Sequence, residues 1–403
     1  MSELSNSERR RAAILGCVVG DAAALGLHWI YTQPRIRKIA PESPEFLEPK
    51  AEHYEGVPGY FAHSRKHAGD STMYGEYVIA LLRSMASKEG EYHAGDYLTT
   101  FRNYFGPGGD YVGYADGPMR GTIFNAELMA REVKEKIASM DLDVSEERQG
   151  QFAYYISKYF LEGDAEEVKK LLRSPFDLYK TSEEEYKVLD QVVDTIQEYR
   201  RPVGPEDSQM PALTKVAPLV ARYAGSPELY EHLESAVRMT NNSDLAVAYA
   251  VGLARALEGI VTGSALKSLG NPGPDTAADQ DALVAYLRES FSGLPGEQRD
   301  ALEKAFKLLT QDTKAITLKF GPACDCEMGV PSALHNLANA ESFVDATRTN
   351  IWACGDSSGR AMILGTLAGA LYGVDGSRGI PEDWIVRTKV SGEVEKAMDV
   401  IVR

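Results

Sequence analysis

The chain has 403 residues, 44% of them hydrophobic and 25% charged, with a formal net charge of −16 at pH 7. That composition belongs to a folded protein with ample core, and the length suits one large domain or two to three ordinary ones. So acidic a chain excludes nucleic acid or an anionic membrane as expected partners, since its basic clusters are short, Arg9-Arg10-Arg11 and Arg200-Arg201.

The N-terminal stretch ERRRAAILGC imitates a basic region, an apolar segment and a terminal cysteine, but only five residues separate Arg11 from Cys17. A secretory core needs roughly seven to fifteen. Apolar residues then continue at three- and four-residue spacing past Asp21, which predicts a buried helix over 8–27. The same spacing predicts helices over 71–87, 123–138, 148–162, 183–200, 211–224, 227–238, 243–260, 279–291, 296–310, 331–338, 341–350 and 358–373. Period-two strands are nearly absent, so an all-α chain is expected. No stretch is long and apolar enough to span a bilayer.

Two of these helices carry glycine at i, i+4: Gly16 and Gly20 in the first, Gly365, Gly369 and Gly373 in the last. Each interior glycine costs about 1 kcal/mol relative to alanine. The pattern suits tight packing in the core, although it would also serve an interface in a small homo-oligomer. First and last helices are thus expected to close a single domain over 1–403, with 1–7 a flexible tail and 263–279 an exposed linker around GNPGPDTAAD.

Four cysteines are present. Cys324-Asp325-Cys326 is too tight for a zinc knuckle, and no second pair follows at zinc spacing. Reduced thiols and a cytoplasmic setting are expected. His53, His63 and His67 lie near one another without a ligand spacing.

The sharpest signal is a repeated one. GDST (69–72) and CGDSSG (354–359) each open an apolar helix. Either alone reads as an N-cap. Brought together, two helix N-termini would offer N–H groups, dipole ends, hydroxyls and carboxylates to phosphate or sugar oxygens. The glycine-rich loop FGPGGDYVGYADGP (105–118) adds Asp116, Gly117 and Arg120 as phosphate-binding candidates, or else is a tyrosine-rich structural loop. His28 and Trp29 form a stacking platform or a buried helix-end pair. A serine esterase of the Gly-Asp-Ser-Leu type is set aside, because strands are missing and the last histidine, His335, precedes the second motif.

GCVVGDAAALGLHWIY (16–31), GDST (69–72) and CGDSSGRAMILGTLAGALYG (354–373) resemble, in order and separation, the ADP-ribosylglycohydrolase superfamily, with wording nearest its J1-crystallin and selenoprotein-J branch. The likeness runs from about residue 10 to residue 375, with weaker support from YADGPMRGT, QMPALTKVAPLVARYAG and TNNSDLAVAYAVGLARAL. It implies a compact multi-helix orthogonal bundle and a cleft that orients ADP-ribose, on a small molecule or an acceptor side chain, through two magnesium ions. Carried over, Asp70 and Thr72 match the early metal motif and Asp356 the late one. Ser71 and Ser358 stand where the family has aspartate, Gly69 and Gly359 where it has threonine. Hard Mg²⁺ wants carboxylate-rich octahedral sites, so Asp70, Ser71, Thr72, Asp356 and Ser358 suit one weakly held magnesium ion or none. Ser357 joins Ser358, His28, Asp116, Gly117 and Arg120 as a substrate-binding candidate. Asp70 and Asp356 are catalytic candidates. The family's further acid falls among Glu42, Glu45, Glu48, Glu52 and Glu55, of which Glu55 lies nearest the second motif. The implied function is binding, with or without hydrolysis, of an ADP-ribosyl or related glycosidic substrate. Its alternatives are an inactive crystallin-like structural protein and a serine-lined, metal-free hydrolase.

Overall fold

Ser5 and Glu8 form a capping box: the Ser5 hydroxyl accepts the Glu8 N–H at 3.2 Å and the Glu8 carboxylate accepts the Ser5 N–H at 2.7 Å. The first helix therefore begins early, at Asn6, and runs to Ala24, taking in residues expected to form a tail. The structure, a computed structural model, describes residues 4–269 and 277–402. Among these the regular structure is helical, and extended backbone pairs only in isolated bridges such as Ile30–Gly355 and Gln209–Asp325.

The first helix lies along the helix Ser357–Tyr372 in the most extensive pairing of the fold. Glycine permits it. A Cβ on Gly16 would stand 2.1 Å from the Gly365 carbonyl oxygen, and one on Gly365 would stand 2.0 Å from that of Gly16. Both helices are buried nearly all round, so this pair is the axis on which the other helices pack. Arg9 closes its end, donating from Nη1 to the Ala370 and Leu371 carbonyls at 2.9 and 3.2 Å. These are orphan acceptors of a helix C-terminus.

Helices also form where the pattern is weak. Ala94–Phe105 contains Gly95 and two threonines, which lower its local propensity; burial of Tyr97, Leu98 and Phe101 stabilises it. Ala165–Leu178 keeps Pro175 inside it, and Ser391–Ile401 packs against the helix Met73–Ser87. The helix expected from Pro331 starts at Cys326 instead and runs through the proline, with Val330 and Pro331 buried. Of the expected 263–279 linker, residues 270–276 lie outside the described residues, while Leu266–Leu269 and the residues from Ala277 are helical. No described helix is long and apolar enough to cross a membrane.

Candidate functional site

Thr72 caps the helix Met73–Ser87 and Asp356 caps the helix Ser357–Tyr372. Their side chains accept the backbone N–H groups of Tyr74 at 3.2 Å and of Gly359 at 2.9 Å. The two starts face each other, because the Tyr74 hydroxyl donates to Asp356 Oδ2 at 2.5 Å. A Cβ on Gly359 would lie 3.0 Å from Tyr74 Cζ. The first helix contributes Asp21, which accepts the Thr72 N–H at 2.9 Å and the Thr72 hydroxyl. The turn after that helix contributes His28, whose Nε2 lies 3.0 Å from Asp356 Oδ1 and whose Nδ1 lies 2.7 Å from Nε2 of His63.

Backbone strain marks the same place. Trp29 and Cys354 hold φ of +64° and +72°, the left-handed region that costs a side-chain-bearing residue energy. Neighbouring hydrogen bonds fix them there: the Trp29 N–H donates to the Gly355 carbonyl at 2.9 Å, and the Gly355 N–H donates to that of Ile30 at 2.7 Å.

Charges at the site are held by specific partners. Burial pushes the Asp356 carboxyl up, but the His28 imidazole, the donors on His28 and Tyr74 and the Gly359 N–H outweigh it and hold it below the ordinary carboxylate value. Burial pushes Asp21 up to about 7 against its Thr72 hydrogen bonds. Asp116 caps the helix Gly117–Ala138 through the Met119 N–H at 2.8 Å and accepts the Tyr77 hydroxyl at 2.8 Å; burial pushes it up to about 6. Lys215, fully buried, donates to the Pro211 carbonyl at 2.7 Å and lies 4.6 Å from the Tyr77 ring centroid. Burial brings it down to about 7 in spite of Asp116 and Asp207.

Several buried polar atoms here lack a hydrogen-bond partner among the described residues: Ser71 Oγ, Ser357 Oγ, Ser358 Oγ, Asp116 Oδ2 and Trp29 Nε1. Trp29 is 7% exposed and meets Tyr114 edge-on at 5.1 Å. Tyr60, 56% exposed, lies 5.9 Å from Trp29 and carries the aromatic wall to the surface.

The predicted residues divide. His28, Asp116, Ser71, Thr72, Asp356, Ser357 and Ser358 are buried. His28, Asp356 and Thr72 belong to the hydrogen-bonded cluster just described. Asp70 is held elsewhere: Lys389 Nζ lies 2.9 Å from Oδ1, and Oδ2 accepts the His67 N–H at 2.6 Å. Those partners outweigh its partial burial and keep its carboxyl below the usual range. It shares no partner with Asp356. Gly117 opens its helix, exposed Arg120 folds back onto the Ala115 carbonyl, and Glu55 is exposed at the end of a single-turn helix. Glu45 is the buried acid of that loop, but Arg348 pairs with it at 2.6 Å. Among the described residues no group of three or more His, Cys, Asp or Glu is placed to hold a metal ion.

Sequence reasoning missed Asp21, His63, Tyr74 and Lys215. Asp21 stands inside the first motif, next to Gly20, and that was its available signal. Tyr74 and Lys215 lie in apolar helical runs and read as core, while His63 lies in a loop without ligand spacing.

A family model described as ADP-ribosylglycohydrolase matches residues 2–403. Crystallin J1A of Tripedalia cystophora is 24% identical over 401 residues, covering 98% of this chain and 96% of that protein. Crystallin J1B of the same organism is 23% identical over 409 residues, covering 100% and 99%. A solved structure titled "ADP-ribosylglycohydrolase-related protein complex" aligns over 99% of this chain and 98% of its own with a TM-score of 0.55 at 18% identity, a likeness of fold. With a match spanning nearly every residue and a helical bundle that brings the two Gly-Asp-Ser helix starts together, the chain belongs to the ADP-ribosylglycohydrolase family.

Proposed function

We propose that the cleft between the two helix starts binds an ADP-ribose-like ligand, free or attached to an acceptor, and cleaves a glycosidic bond within it. One observation carries this reading: at and around the starts of three helices, the hydroxyls of Ser71, Ser357 and Ser358 and one Asp116 oxygen are buried, with the Trp29 indole N–H, and have no hydrogen-bond partner among the described residues. Leaving such groups unmade costs roughly 1–3 kcal/mol each, so a purely structural core has reason to fill them with apolar side chains. Hydroxyl-rich sugars and phosphates at helix N-termini complement them. Free cysteines throughout the described chain suit a reducing, cytoplasmic setting.

The side chains do not fit a pair of magnesium ions. Both oxygens of Asp356 already accept protein donors, Asp70 is tied to Lys389 and the His67 N–H, and Asp21 is tied to Thr72. What remains unpartnered is three neutral hydroxyls and a single oxygen of Asp116, a weak set for two hard dications. Asp356, hydrogen-bonded to Tyr74 and in contact with His28, is the anion this reading assigns to an oxocarbenium-like sugar.

The crystallin names of the relatives favour a second reading, a structural protein that kept the fold. Thermal denaturation with and without ADP-ribose, in Mg²⁺ and in chelator, tests both. A stabilisation by ADP-ribose that Asp356→Ala loses supports the cleft, and release of ADP-ribose from an ADP-ribosylated peptide establishes hydrolysis. Flat curves in every condition support the structural reading.

A further inference from the structure

We propose that the cavity between the start of the helix Ala94–Phe105 and the helix Leu229–Thr240 is a second binding site, built for an aliphatic diamine. It has a volume of about 630 Å³, within the range of small-molecule pockets. None of its lining residues belongs to the cluster around Asp356, so the site stands or falls apart from the cleft. Its floor is apolar: Leu98, Leu161, Val203 and Met239 line it, core residues that each keep 5–7% exposure. Tyr92 and His232 form an aromatic wall, their ring centroids 5.3 Å apart. The Tyr92 hydroxyl is held by Ser235 at 3.1 Å. Gly95 lets the opposite wall close in, because a Cβ there would stand 1.8 Å from the Glu162 carbonyl oxygen.

Charge selects the ligand. Three arginines and five carboxylates line the cavity. The arginines are engaged: Arg200 donates to the Phe160 carbonyl at 2.5 Å, Arg201 pairs with Glu132 at 2.7 Å, and Arg238 pairs with Glu234 and Asp244 at 2.8 and 2.6 Å. Three carboxylates are engaged as well. Asp96 pairs with Lys88 at 3.0 Å, while Asp164 and Glu167 accept each other's backbone N–H groups at 2.9 Å. Glu162 and Glu231 remain, with no side-chain hydrogen bond or ion pair among the described residues. They stand on different walls, Glu162 on the turn before the helix Ala165–Leu178 and Glu231 on the helix Leu229–Thr240. Burial pushes the Glu162 carboxyl above its ordinary value against Lys158, Arg102 and Lys88, which act on it without contact. A chain of methylenes with an ammonium at each end answers every one of these features. Its ends meet the two carboxylates, one of them near the aromatic faces, and its methylenes lie on the apolar floor. A single cation leaves one carboxylate alone, and a neutral alcohol leaves both.

Methyl NMR of the whole chain labelled with ¹³C-methionine tests the site, with Met239→Leu assigning the Met239 signal. The probe is 1,5-diaminopentane in about 0.15 M salt, where diffuse attraction to an acidic surface is screened. A saturable shift of the Met239 signal is expected, and none with 1,5-pentanediol. Glu162→Gln is expected to weaken diamine binding about five- to tenfold, and the exposed Glu231→Gln about two- to fivefold. Glu297→Gln, an exposed acid outside the cavity, is expected to leave the titration as it was. A Met239 signal that the diamine does not move overturns the proposal, as does a shift that Glu162→Gln retains in full. A shift produced by glutarate equally overturns it, because it assigns the cavity to an anion held by the arginines and by the helix start at His93, which has no side-chain cap. Should Glu162→Gln fail to fold, the comparison of diamine, diol and dianion on the wild type decides alone.

Discussion

The hydroxyl of Tyr74 donates to the carboxylate of Asp356 across 2.5 Å of space and 282 residues of sequence. Each lies at the start of an apolar helix opened by a Gly-Asp-Ser segment. The bond is thus the physical joint between the two motifs, and Asp356, not Asp70, is the acid that both helix starts share.

Removing that donor by Tyr74→Phe is expected to cost about 1.5–3 kcal/mol, the range for a hydrogen bond to a charged group. Denaturant unfolding at pH 7 measures it. Because the folded Asp356 carboxyl lies below its ordinary value, its contribution is complete above the unfolded value and is lost as pH falls through the folded one. The variant therefore loses less stability on acidification than the wild type does. An unchanged acid limb would show that Asp356 is not held in this way.

Asp70 and Asp356 are expected to separate sharply. Asp70→Asn breaks a partly exposed pair with Lys389, side chains 22% and 50% exposed, and is expected to cost about 1 kcal/mol or less. Asp356→Asn leaves a buried charge network without its anion, and about 3–5 kcal/mol is expected. Equal effects in parallel melts would contradict the placement of Asp70 outside the buried cluster.

Gly16→Ala and Gly365→Ala each press a methyl against a backbone carbonyl at 2.1 and 2.0 Å. Backbone cannot step aside as a side chain does, so each is expected to cost at least about 1–3 kcal/mol. The melting temperature reads this directly, and a wild-type value would mean that the two helices are not in backbone contact.

Lys215 supplies an alkaline signature. Its folded value, about 7 against an ordinary 10.5, means that the unfolded chain binds more protons between those limits. Stability then rises with pH across that window. Lys215→Met is expected to flatten that rise. The pH dependence of the unfolding free energy from pH 7 to 10 is the measurement, and a slope retained in the variant would assign it to another group.

ADP-ribose at about a hundred times its dissociation constant is expected to stabilise the wild type by roughly 2.7 kcal/mol, with chelator leaving the shift in place. A shift abolished by chelator would show that a metal ion takes part in binding despite the occupied oxygens of Asp356.

The all-α class, the buried first helix and the glycine-lined faces of that helix and of Ser357–Tyr372 were legible in the chain, because each depends on residues three or four apart, whereas Ser357–Tyr372 is not the last helix as expected, since Ser391–Ile401 follows it. The caps in the two Gly-Asp-Ser segments were legible for the same reason, since a cap reaches only its own first turn; that of Asp116 was not, because the helix expected from residue 123 begins at Gly117. What sequence by itself determined, then, is where the strongly patterned helices lie and which polar residues open the two Gly-Asp-Ser helices, while burial decided weakly patterned ones such as Ala94–Phe105 and Ser391–Ile401. Tertiary structure alone decided which of those residues meet. It tied Asp70 to Lys389 from the far end of the chain, set Tyr74 and His28 on opposite sides of the Asp356 carboxylate, and brought His63 from an unpatterned loop onto His28. Hydrogen bonds over hundreds of residues leave no periodic trace, and only the packing that joins the first helix to Ser357–Tyr372 turns these scattered polar side chains into one buried cluster.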